Sequence, residues 1–271
     1  MTMRLLRNPN NVADKRVCIF VSYSPNATIK RHVRYHLKRL KSCGFTVIFV
    51  LVVDEMPQDA TGLSTDGVHG FFLRKNAGFD FGAWADAFRS LPSLWNAKCV
   101  LLVNDSVFGP IGNYARVLND AAALPAHFIG MIESYEVKRH FQSYFLIMNR
   151  PMLQDPSVQR YWTEIENLET KLDVIRTYEV NLLEKFSGLG HSSQAVFPHL
   201  FGERWPFNPP LVNWRPLLEA GFPFIKVELL RDNPFQVDIA GWEKTIRDPE
   251  LLAAIQEHLA LGSSPASAGT G

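Results

Sequence analysis

Long apolar runs are missing from this sequence. The longest, residues 45–53, has the length of a strand and falls far short of the roughly 20 residues a membrane-spanning helix needs. The beginning of the chain carries no apolar core of the secretory kind. The expected setting is therefore the cytoplasm, with at most peripheral contact with the inner face of a membrane. Cysteine is scarce as well. Cys18, Cys43 and Cys99 are odd in number, far apart, and in or beside apolar runs. They read as reduced core residues, and no CxxC or Cys/His cluster suggests zinc. Charge of one sign is also lacking: 28 Lys and Arg face 27 Asp and Glu, a formal net charge of +1. That balance excludes the broad basic footprint of a nucleic-acid binder. No internal repeat is visible.

What the chain does have is bulk. Its 271 residues are 46% hydrophobic and 12% aromatic, enough to bury the core of one large α/β domain. Residues 1–14 are polar and expected to be flexible. Residues 17–23 and 45–53 are β-branched apolar runs. Between them lies a segment with Ile29, Val33, Leu37 and Leu40 on one helical stripe, closed by Cys43-Gly44. This is a βαβ unit and predicts a parallel sheet. Further strands are expected at 71–73, 98–103, 127–132, 142–149 and 194–197. Helices are expected at 82–91, 114–123 and, with a break near Leu168, 160–186. The expected organisation is a nucleotide-binding and catalytic domain over 15–200 and a small proline-rich helical subdomain over 201–261 packed on it. A disordered Gly/Ser/Pro/Ala/Thr tail is expected from 262 to 271.

The chemistry is concentrated at strand ends. The run Cys99-Val100-Leu101-Leu102-Val103 ends on Asn104-Asp105-Ser106. An apolar strand ending on an acid presents a carboxylate at the carboxyl edge of an open α/β sheet, where such sheets bind ligands. There Asp105 can hold a divalent cation and, through it, a diphosphate, or it can cap the next turn. One strand earlier, Arg74-Lys75-Asn76-Ala77-Gly78-Phe79-Asp80-Phe81-Gly82 forms a glycine-rich strand-to-helix loop. Its helix N-terminus and two cations suit an anion, although plain connections share the pattern. Glu133 and Glu136 follow one strand, and His140 and Gln142 precede the next, so they can line the same cleft. Glu179 begins an apolar helical run, where burial can make a carboxylate a base. The stripe Lys30, Arg31, Arg34, Lys38, Arg39 and Lys41 is a solvated face or a seat for anionic lipid.

Taken in order, these motifs resemble the rhamnan synthesis protein F family of bacterial polysaccharide glycosyltransferases. The residues that carry the likeness are Lys75-Asn76-Ala77-Gly78-Phe79-Asp80-Phe81-Gly82-Ala83-Trp84 and Leu102-Val103-Asn104-Asp105-Ser106-Val107-Phe108-Gly109-Pro110. His140-Phe141-Gln142-Ser143-Tyr144-Phe145-Leu146, Tyr178-Glu179-Val180, Gly221-Phe222-Pro223-Phe224-Ile225-Lys226 and Leu230-Arg231-Asp232-Asn233-Pro234 follow.

The resemblance implies a GT-A-like, Rossmann-like fold: a mostly parallel central sheet flanked by helices. It implies transfer of a sugar, rhamnose or another deoxy or furanose sugar, from a nucleotide-diphosphate donor to a cell-surface polysaccharide or lipopolysaccharide, with inversion. Donor contacts are expected at Ser22, Asp54, Arg74, Asn76, Gly78, Asp80 and Asp105. Glu179 is expected as base with Glu133 as runner-up, and Glu136, His140 and Gln142 on the acceptor or sugar. Mg²⁺ or Mn²⁺ would sit on Asp105, which here lacks the outer acids of a DxD motif. The competing reading is a non-catalytic carbohydrate-binding or assembly module on a decayed transferase fold.

Overall fold

The computed structural model describes residues 3–197 and 207–263. Its strands are β1 (Met3–Arg7), β2 (Arg16–Tyr23), β3 (Thr46–Val53), β4 (Gly70–Lys75), β5 (Cys99–Asn104), β6 (Val107–Phe108), β7 (Phe128–Ser134), β8 (His140–Phe141), β9 (Phe145–Asn149), β10 (Ser193–Phe197) and β11 (Ile225–Lys226). The main sheet runs β1-β4-β3-β2-β5-β9-β7-β10, with β8 on the flank of β7. Its centre, β4-β3-β2-β5, is parallel. Strand β9 runs antiparallel between β5 and β7, and β10 is parallel to β7. The expected α/β architecture, a central sheet flanked by helices, is what the chain adopts.

Both faces of the sheet are covered, which is why its strands read as continuous apolar runs. Alternate residues go to opposite sides. Phe20, Phe49, Leu51, Leu101 and Val103 meet α1 (Arg31–Ser42) and α3 (Tyr114–Ala123). Ile19, Ile48, Val50, Val100 and Leu102 meet α2 (Phe79–Ser90) and the helices Pro156–Thr163 and Val180–Gly188. A third cluster joins Leu211, Trp214, Ile225, Val227 and Leu229 of the C-terminal region to Tyr35 and Phe108 of the main body.

The topology fixes where a cleft opens. From β2 the chain winds outward through β3 to β4, then returns to place β5 on the other side of β2. The loops after β2 and β5 leave in opposite directions, and the gap between them is the switch point of an open α/β sheet. Ser22 and Asp105 stand at that gap.

Two local expectations are corrected. Residues 3–7, expected to be flexible, form edge strand β1, paired antiparallel with β4. A distant partner supplies that pairing, so the local sequence does not reveal it. The expected strand 142–149 is shorter, β9 alone, and its first three residues, 142–144, connect β9 to the preceding β8. The break expected near Leu168 is present, spanning residues 164–170, and the helix resumed at Lys171 widens into a π-helical turn, Ile175–Glu179. The boundary expected at residue 201 lies outside the described residues, as does the expected tail 262–271 from residue 264 on; residues 262 and 263 close the helix Pro249–Ser263.

Candidate active site

Asp105 is already engaged. Ser22 Oγ donates to its Oδ2 at 2.7 Å, and Lys30 Nζ donates to the same oxygen at 2.9 Å. Lys30 belongs to the basic stripe expected to face solvent or lipid. Arg31 and Lys38 of that stripe meet Glu257 and Glu250 at 3.5 and 3.2 Å. Two of its cations thus meet the Pro249–Ser263 helix while staying about half or more exposed.

At the next strand ends, Tyr23 Oη donates to Asp54 Oδ2 at 2.7 Å and Asn76 Nδ2 to Asp54 Oδ1 at 3.3 Å. These groups are exposed, and the Tyr23 ring is 40% accessible beside them. Tyr23, Asp54 and Asn76 make an open polar shelf at the carboxyl ends of β2, β3 and β4.

The glycine loop behaves otherwise than expected. Arg74 is fully buried, and its guanidinium is consumed by the protein. Nε donates to Asp86 at 2.8 Å, one terminal nitrogen to the carbonyls of Lys75 and Ala77, and the other to Asn167 at 3.0 Å. It splints the loop and has no reach toward a donor. Gly78 adopts φ +65°, and a Cβ there would stand 2.3 Å from Asn167 Oδ1. The close approach that the glycine permits is used by Asn167, not left open for a phosphate.

A second cluster lies beside Asp105. Asn104 Nδ2 donates to Asp80 Oδ2 at 2.7 Å, and the Phe81 amide donates to Asp80 Oδ1 at 3.0 Å. Burial, with the nearby charge of Glu179, raises Asp80 to a pKa of about 6. Glu179 ends the π-helical turn, with its side chain 17% exposed. Its Oε2 accepts from Ser143 Oγ, and its Oε1 lies 3.8 Å from His140 Nε2. His140 Nδ1 stands 2.7 Å from the Lys138 carbonyl. A carbonyl only accepts, so Nδ1 carries the hydrogen and Nε2 is turned to Glu179.

Gln142 and Tyr144, on either side of Ser143, are buried. Gln142 Oε1 and Tyr144 Oη have no hydrogen-bond partner among the described residues. Buried polar atoms are normally satisfied, and these two are exceptions. Glu133, by contrast, is held by Arg139 at 2.5 Å and by Tyr135 at 3.0 Å. Glu136 has its backbone amide on Ser134 Oγ and lies within electrostatic range of Lys226.

The donor set does not suit a divalent cation. Among the described residues no three His, Cys, Asp or Glu side chains are grouped to hold one. Asp105, the expected ligand, already faces an ammonium.

The structure therefore brings Ser22, Asp80, Asp105, His140 and Glu179 to one edge of the sheet, with Asp54 and Asn76 on an adjoining shelf. It turns Arg74 inward and ties up Glu133. Sequence reasoning missed Lys30, Asn104, Ser143 and Lys226 as site residues. Three of them lie inside the quoted motifs, and Lys30 was read only as one cation in a stripe.

Polar side chains gathered at the switch point of an open α/β sheet stand where sheets of this class bind ligands. The rhamnan synthesis protein F family matches residues 47–258, and the chain belongs to that family. It is 28% identical to the virulence protein VirA of Vibrio anguillarum, over 90% of this chain and 84% of that one. It is 26% identical to the uncharacterized protein y4gN of Sinorhizobium fredii, over 67% of this chain and 48% of that one. Among solved structures, the glycosyltransferase GlyE of Streptococcus pneumoniae superposes with a TM-score of 0.43 at 13% identity, covering 94% of this chain and 67% of that one. The mannosyltransferase PcManGT of Pyrobaculum calidifontis, in complex with GDP-Man and Mn2+, gives 0.43 at 14% identity, covering 97% and 80%.

Proposed function

We propose that this protein is a glycosyltransferase of surface-polysaccharide assembly, moving a sugar from a nucleotide-diphosphate donor with inversion. The observation that carries the reading is Glu179, fixed by Ser143 and His140 beside Asp80 at the carboxyl edge. Membership of a rhamnan-synthesis family supports the substrate class.

In this reading the nucleoside lies over the shelf of Tyr23, Asp54 and Asn76, with the diphosphate toward Asp105 and Lys30. Glu179 accepts the proton of an acceptor hydroxyl while that oxygen attacks the anomeric carbon. One base and one in-line attack invert the configuration. Ser143 holds one carboxylate oxygen, so the other does the proton transfer. Gln142 Oε1 and Tyr144 Oη meet sugar hydroxyls. Glu133 is a poorer base, because Arg139 and Tyr135 already take its lone pairs. Rhamnose is the first sugar to try, and a deoxy or furanose sugar is the next. The polymer is a cell-surface polysaccharide or lipopolysaccharide.

Work in the cytoplasm, at the inner membrane face, fits three free cysteines. No helix among the described residues is long and apolar enough to cross a membrane. The test is incubation with a panel of dTDP-, UDP- and GDP-sugars, following nucleoside diphosphate release with and without oligosaccharide acceptors. Release that depends on Glu179 supports the reading. Nucleotide binding without release by wild type favours the non-catalytic module, which the ion pair on Asp105 also suits.

A further inference from the structure

We propose that the ammonium of Lys226, together with Lys30, takes up the charge of the donor's diphosphate in the place of a divalent cation. This rests on the donor-site reading above and adds which groups neutralise the leaving group.

The fold brings Lys226 to the site from far along the chain. Strand β11 pairs antiparallel with β6, setting Lys226 opposite Val107, and the Val227 amide donates to the Ser106 carbonyl at 3.0 Å. Lys226 is thus fastened to the loop that carries Asp105. Its Nζ lies 5.6 Å over the ring of Tyr144, whose neighbour Ser143 holds Glu179. Among the described residues its ammonium makes no ion pair, although Glu179, Glu136 and Glu228 act on it electrostatically from further off. Burial disfavours its charge and pulls its pKa below that of an ordinary lysine. A desolvated cation without a close acid is costly. An arriving anion removes that cost.

The acid side of the site points the same way. The Oδ2 of Asp105 is shared by Ser22 and Lys30. Asn104 is spent on Asp80 and Ser106. A metal at Asp105 would have to share the carboxylate with Lys30, and among the described residues no three His, Cys, Asp or Glu side chains are grouped to complete a cage. Lysine is a compact point charge suited to phosphate oxygens, and Lys226 adds an ammonium that no ion pair among the described residues offsets.

The reaction balances without another reactant. The acceptor oxygen bonds to the anomeric carbon, and its proton passes to Glu179. The bond from that carbon to the phosphate oxygen breaks. Its electron pair leaves on the nucleoside diphosphate, whose added charge meets Lys226 and Lys30.

The experiment is calorimetric titration of the full chain with UDP and dTDP, in EDTA and then in Mn2+, for wild type, Lys226→Met and Lys226→Arg. Wild type should bind in EDTA, with little gain from Mn2+. Lys226→Met should weaken binding about ten- to a hundredfold, the range for losing a hydrogen bond to a charged group. Lys226→Arg should recover most of it. Thermal melts check folding, and Lys226→Gln replaces the methionine variant if that one is unfolded. Binding only in Mn2+, or undiminished binding by a folded neutral variant, overturns the proposal. Absence of binding under both conditions overturns the donor site itself, and this inference with it.

Discussion

The hydroxyl of Ser143 and the carboxylate of Glu179 are joined across the gap between the β8–β9 connection and the π-helical turn. One oxygen of the carboxylate is thereby pinned while the other faces His140. Glu179→Gln should keep nucleotide affinity and lose transfer by about 10²–10⁴-fold, the usual effect of removing a positioned base. Glu133→Gln should transfer at near the wild-type rate. Parallel rate and affinity measurements on the two variants decide between the carboxylates. A product that retains the donor's configuration would remove the single-base mechanism.

Arg74→Met should destabilise the protein rather than disarm it. The substitution leaves the carbonyl of Ala77 and the side chain of Asn167 without their buried donor. Breaking a buried charged network by one partner costs about 3–5 kcal/mol. Arg74→Lys should rescue little, since one ammonium cannot replace a planar fork. Urea denaturation measures both, and a near-native stability for Arg74→Met would contradict the splint role.

Asp80→Asn should stabilise the protein at neutral pH. A carboxyl raised from 3.8 to about 6 in the folded state holds its proton more tightly than in the unfolded chain. Stability from this group therefore falls as pH rises from about 4 to 6. The variant should be more stable than wild type by roughly 1–3 kcal/mol at pH 7, with no difference below pH 4. Melts of both proteins across that range give the comparison.

His32 and His36 push the other way. Both are buried, and burial lowers each to about 3 from 6.5. The unfolded chain gains protons below pH 6.5 that the folded chain refuses, so their contribution is complete above 6.5 and lost on acidification toward 3. At pH 5 the loss is about 2 kcal/mol for each, from the energy of a pKa unit. His36→Gln keeps a partner for Tyr114 and should flatten the pH dependence between 5 and 7. A variant as acid-sensitive as wild type would place the cause elsewhere.

The core strands were legible because burial on both faces writes itself as apolar runs, as in Val100-Leu101-Leu102-Val103. The order of motifs led to Asp105, His140 and Glu179 for a similar reason: strand ends on one edge of a sheet converge. Arg74 was misread because a sequence does not show whether a cation turns outward or in. Gly78 was read as open because its neighbour, Asn167, comes from a distant loop. Strands β1, β6 and β11 escaped notice because each is short and owes its pairing to a partner far along the chain. Lys226 was hidden with β11.

The Pro249–Ser263 helix lies against α1, and Tyr35 Oη donates to Asp248 across 213 positions of sequence. Glu250 and Glu257 reach the lysine and arginine of the same early helix, and His258 lies against His32. During synthesis, therefore, the first helix must wait for its partners until the segment around residues 248–258 has left the ribosome. A nascent chain stalled before residue 248 would leave Tyr35, Arg31 and Lys38 without the partners that the later helix brings.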